Sequence, residues 1–171
     1  MKLSPKAKNI FDQINSENTK LGDLRIIAKE IKKDHELALE LWSTKSFFAR
    51  QLAILIMDKK LLTQDINNHL QQEKLQLIDW LMANQLVKDK KLLALIESWQ
   101  NSDSTLQRRT FWYYQGRLRW VGQTPPPNSE VLLAFIEKNI LKEKPEVQWA
   151  MNFTAAQIGI FQKEYRERCI A

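Results

Sequence analysis

The chain is poor in the residues that usually announce chemistry. Its one cysteine, Cys169, excludes an intrachain disulfide. With two histidines, His35 and His69, it has too few ligands for a Cys/His zinc site, so no metal is expected. There is no glycine-rich phosphate loop, no G-x-S-x-G and no metal-binding helix motif, and nothing calls for a cofactor. The longest apolar run is LAILIM, Leu52–Met57, far short of the roughly 18 residues of a membrane span. The opening MKLSPKAKN has charge but no hydrophobic core behind it, so it does not read as a secretory signal. These absences predict a cytoplasmic protein with no membrane partner. Four glycines and five prolines, three of them consecutive at Pro125–Pro127, leave few breakers in 171 residues. That scarcity favours helices joined by short turns over a strand-rich fold.

Acidic residues are also missing from one long stretch, between Ser104 and Ser129. Within it lies LQRRTFWYYQGRLRWV, Leu106–Val121, with four arginines, two tryptophans and two tyrosines. The net charge of +6 and pI near 9.4 suggest a polyanion as partner. At helical spacing, Phe111, Tyr114, Leu118 and Val121 form one apolar stripe, which reads as core. Arg109, Trp112, Gly116 and Trp120 form a second stripe, and Arg108, Arg117 and Arg119 fall around the remaining face. Glycine in a helix interior costs about 1 kcal/mol relative to alanine, so Gly116 implies close approach of another backbone. Two readings of the segment stay open. Either the tryptophans pack under a neighbouring helix with the arginines solvated, or Arg109 and its neighbours grip phosphates while a ring faces a sugar or base.

The rest of the chain reads almost throughout with helical period. Pro5 suits a first turn, and Asp23 reads as the N-cap of a helix carrying Leu24, Ile27, Ala28 and Ile31. Asp34 opens HELALELW. Phe47–Met57 is apolar nearly all round and predicts a central helix. Thr63 caps a polar helix through Leu70, and Leu75–Val87 and Leu92–Trp99 follow. Ser104 caps the arginine-rich helix, which is expected to end near Gly122. After QTPPPNS come Glu130–Leu141 and a helix opened by Pro145, which Gly159 is expected to break or kink. The length fits a single domain over 1–171, an all-α antiparallel array. The spacing suits HEAT-like units of about 40 residues or a compact bundle, and periodicity does not separate the two. His35 reads as a solvated residue at a helix start, and Cys169 as an inert thiol. Trp80, in LIDWLMANQLV, and Trp149, in EVQWAMNF, belong to helices that have apolar faces without them. Each therefore falls at a face boundary, packed on the next helix or open to a ligand.

LGDLRIIAKEIKKDHELALELW with ARQLAILIMD, then LIDWLMAN, LQRRTFW and PEVQWAMN, resemble in order the DNA alkylation-repair glycosylases built from HEAT-like repeats. The resemblance runs from about Leu21 to Arg168. It implies an α-solenoid of antiparallel helical hairpins, a right-handed superhelix with a concave basic face. It also implies duplex DNA containing N3- or N7-alkylated purines as partner, with cleavage of the N-glycosidic bond. By position, Trp80 and Trp149 would flank the damaged nucleotide, and Arg109, with Arg108 and Arg117 nearby, would hold phosphates. Such enzymes place a carboxylate one turn after the first tryptophan, to stabilise the oxocarbenium ion that forms. Here that catalytic position is Asn84, an amide without a full charge, while Asp79 precedes Trp80 and projects elsewhere. Relatives of this kind continue past the positions of Arg166 and Arg168, so the resemblance implies a longer C-terminal repeat than the one present. The alternative from another class is a non-catalytic HEAT-type scaffold that binds proteins. Lesion preference and oligomeric state are not encoded in any motif.

Overall fold

A computed structural model describes residues 3–15, 18–61, 75–120 and 124–170. Among them there are helices and turns and no strand, so the all-α expectation holds. The chain divides into two compact units, Met1–Leu93 and Ala94–Ala171.

In the first unit, α1 (Pro5–Ile14) starts with Pro5 at its first position and Ser4 Oγ accepting from Ala7 N at 3.2 Å. α2 (Leu21–Ile31) begins earlier than the sequence suggests: Lys20 is the cap, and Asp23 sits in the first turn. The Asp23 carboxylate accepts from Lys20 N at 2.9 Å, so it still satisfies an orphan donor, from inside the helix. α3 (His35–Ser43) is capped by Asp34, whose Oδ1 accepts from Leu37 N at 3.1 Å as expected. The second Asp34 oxygen pairs with Lys6 Nζ at 2.7 Å, tying α3 to α1.

α4 (Phe47–Ile56) is the centre of this unit, buried at Ala49, Gln51, Leu52, Ala53, Ile54 and Ile56 and packed against α1, α2, α3 and α5 (Leu75–Asn84). Each buried Leu or Ile contributes about 1.5–3 kcal/mol, which makes α4 the main source of the unit's stability. The Gln85 amide donates to Ile54 O, satisfying a carbonyl at the end of α4. The helix expected over Leu75–Val87 stops at Asn84 and resumes as a 3-10 turn, Leu86–Lys88. Thr63, His69 and the polar helix expected through Leu70 lie outside the described residues. α6 (Lys90–Glu97) spans the division between the units.

The second unit is built on α7 (Thr105–Arg117) and α9 (Pro145–Phe161), with α8 (Ser129–Asn139) and α10 (Arg166–Ile170) packed on α9. Ser104 caps α7 as expected, accepting from Gln107 N at 3.5 Å. Gly116 does mark a close approach: a Cβ there would lie 2.6 Å from the Phe153 ring and 3.3 Å from Thr154 Cα. The Thr154 hydroxyl donates to Trp112 O across the same contact. Gly159 does not break α9, which runs on to Phe161. Its missing side chain instead admits Cys169, whose Cβ would lie 2.9 Å from an added one. Arg168 then ties α10 to α8 through Glu130 and Glu137, each at 2.6 Å.

Candidate nucleic-acid interface

α7 ends at Arg117, not near Gly122, and this early stop rearranges the stripes expected from its sequence. The chain turns at Leu118–Trp120, and Arg119 folds back. Its Nη1 donates to Gln115 O at 2.8 Å, and the other guanidinium nitrogens reach Asn128, Ser129 and Gln162. Arg119 is 1% exposed, and burial pulls its pKa below the ordinary guanidinium value. It is therefore an internal strut joining the end of α7 to the start of α8 and the end of α9. The expectation of an exposed arginine fails at this position, because the guanidinium satisfies helix-end groups that water would otherwise serve.

Trp112 lies in the core, on the buried side of α7 with Arg109 and Gly116. It is fully buried, with Phe111 edge-on at 5.2 Å and Phe135 at 5.4 Å. Phe111 and Tyr114 are buried as well, Leu118 is half-buried, and Val121 lies outside the described residues.

Arg109 pairs instead with Tyr113, one turn on, and with Trp149 of α9. Its guanidinium carbon lies 5.2 Å from each ring centroid. Arg109 is 2% exposed while Trp149 is 51% exposed, so the cation lies beneath a ring that faces outward. Trp149 is also stacked on Phe153, at 5.7 Å and 8°. A desolvated cation–π contact contributes about 2 kcal/mol, enough to hold the indole in one orientation.

The other arginines assigned to phosphates are placed differently. Arg108 is taken up by the Glu143 carboxylate at 3.0 Å and by the carbonyls of Ser102 and Asp103. Arg117 is half-buried and lies 4.1 Å over the Trp120 ring.

In the first unit, Trp80 is half-buried on α5. Its Nε1 donates to Gln51 O at 3.3 Å, and the guanidinium of Arg25 lies 5.3 Å over its ring. Asn84 follows one turn later and turns its Nδ2 back to Trp80 O at 2.8 Å, leaving Oδ1 as the only group it can offer a developing cation. Asp79 is half-buried beside Trp80 in the sequence. The same unit carries a cleft lined by Lys59, Lys60, Lys88, Lys90 and Lys91, with Asp89 as its one acid among the described residues.

Sequence reasoning missed Arg25, Tyr113 and Phe153. The first is a tertiary contact with no local signal. Tyr113 was within reach, since it lies one helical turn after Arg109, as Phe153 does after Trp149.

A solved structure described as "A new family of proteins related to the HEAT-like repeat DNA glycosylases with affinity for branched DNA structures" matches with a TM-score of 0.71 and 20% identity. The match covers 98% of this chain and 75% of that one, and it shows the shared fold. No curated protein matches the chain. The family profile "DNA alkylation repair enzyme" matches residues 6–170, and the chain belongs to that family.

Proposed function

We infer that the protein binds duplex DNA and reads N3- or N7-alkylated purines, and that Asn84 makes glycosidic hydrolysis slow. The observation that carries this reading is the Trp149 corner. A large ring stands half open, fixed from below by the buried Arg109 and from the side by Phe153. An aromatic face with a cation behind it suits a deoxyribose and its neighbouring phosphate, and its rigidity keeps the entropy lost on binding small. With its guanidinium beneath the surface, Arg109 acts by holding Trp149 and lending positive potential. Direct phosphate contact falls to Arg117 and to the lysine cleft of the first unit. Within the first unit, Trp80, with Arg25 over one face, offers a further aromatic group to DNA. A fold relative with affinity for branched DNA structures supports a nucleic-acid partner.

The chemistry follows from the charge on the lesion. An alkylated purine cation leaves with its bonding electrons and departs neutral, so the developing charge sits on the sugar as an oxocarbenium ion. A carboxylate beside that ion stabilises it strongly in a dry site, whereas the Asn84 amide offers only a dipole. Incubating the protein with duplex containing N7-methylguanine should release little base, and Asn84→Asp should release more. Trp149→Ala should abolish whatever release remains, and Asp79→Ala should not. Absence of release from both wild type and Asn84→Asp, with no preference for the alkylated duplex, would overturn the site map.

The protein-scaffold reading rests on a different surface, an apolar hollow in the second unit lined by Ala156, Ile160, Cys169 and Ile170. It requires no nucleic acid, and salt dependence separates the two.

A further inference from the structure

The aromatic surface does not stop at Trp149. Phe153 also meets Trp120, edge-on at 6.4 Å and 77°, and Tyr113 lies 5.1 Å from the same Phe153 ring. One ring thus separates two outward-facing tryptophans, Trp149 at 51% exposure and Trp120 at 39%. Arg117 lies against Trp120 at 4.1 Å and reaches toward Tyr113 at 5.9 Å. Among the described residues Arg117 forms no ion pair. The segment carries no acid from Thr105 to Asn128, so no side chain within it competes with an anion for that guanidinium.

We propose that Trp120, with Phe153 edge-on to it and Arg117 over one side of its ring, is a stacking site for one unpaired nucleobase of a nucleic acid beside the Trp149 corner. The argument is geometric. Bases within a duplex have their π-faces covered by their neighbours and show only edges in the grooves. A base can therefore cover an exposed indole face only once it has left the stack. Arg117 supplies what such a nucleotide brings with it, a donor for the flanking phosphate, and its cation–π contact keeps the indole in place. The site is sequence-tolerant, because every base has a π-face. An apolar protein segment would fit Trp120 less well, since it leaves Arg117 without an anion.

This inference rests on the proposed nucleic-acid reading and is tested so that the two can fail separately. Binding is measured for a fully paired duplex and for the same duplex carrying one unpaired thymine. The wild type should prefer the second by roughly 5- to 150-fold, the range for one base stacked on an aromatic ring. Trp120→Ala should remove the preference while still binding the paired duplex. Trp120→Phe should retain most of it. Trp120→Leu, which keeps bulk against Phe153 without an aromatic face, should behave like Trp120→Ala and serves if the alanine variant unfolds. Equal wild-type affinity for the two duplexes, or a preference surviving in Trp120→Ala and Trp120→Leu, overturns the stacking site and leaves duplex binding standing. Failure to bind either duplex overturns both readings.

Discussion

Asp34 shows how much a single side chain can settle. One carboxylate oxygen closes the first turn of α3 by accepting from Leu37 N, and the other holds Lys6. The Lys6 hydrogen bond, then that from Leu37 N, holds the Asp34 pKa below the usual 3.8. A carboxylate depressed on folding adds stability above its unfolded pKa, and that stability is lost as pH falls through the folded one. The Lys6 side chain is largely exposed, so the ion pair adds little and the cap dominates. Asp34→Ala should lose about 1 kcal/mol at pH 7. In urea unfolding, the gap from wild type should narrow at about pH 3, below the unfolded carboxylate pKa; an equal gap at both pH values would contradict the assignment. Caps of this kind were legible in the sequence because both partners lie within four residues. The strut Arg119 was not, since its partners Asn128, Ser129 and Gln162 meet it only in the folded chain.

Among the helices, the pairing of α7 with α9 decides what the arginine-rich segment becomes. Gly116 lets the two approach until the Phe153 ring occupies the space of a Cβ. Phe153 is itself stacked on Trp149 and cannot yield freely. Gly116→Ala should therefore destabilise by about 1–3 kcal/mol, the usual cost of overpacking, and should weaken binding through Trp149 as well. Gly22, in the first turn of α2, has nothing within 4 Å of an added Cβ. Gly22→Ala should be neutral or stabilise by up to about 1 kcal/mol through its better helix propensity. Thermal melts of the two variants would expose an error in this packing if Gly116→Ala were the milder one. The close approach at Gly116 was readable, because glycine is otherwise costly inside a helix. Gly159 was harder to read, since the same residue type signals either a break, which α9 does not have there, or a near neighbour, which it does. The second stripe holds at Arg109, Trp112 and Gly116, all of them buried, and fails at Trp120, which lies beyond the helix end at Arg117 and faces outward.

At the scale of the molecule, the all-helical HEAT-like architecture and the family were legible from periodicity and from the order of short motifs. The arrangement of the candidate site was less so, because burial depends on contacts between helices distant in sequence. Sequence alone treated Arg108, Arg109 and Arg117 as equivalent, yet Glu143 holds the first, Trp149 covers the second and Trp120 flanks the third. The positive charge left for a polyanion includes Arg117 and the lysines about the cleft at Lys59 and Lys90. Affinity for duplex DNA measured across a range of salt concentrations tests nucleic-acid binding most directly. Neutralising about four phosphates predicts that log K falls against log salt with a slope of about −3.6. A flat salt response, or no duplex binding at low salt, would contradict it and leave the protein-binding scaffold as the better account.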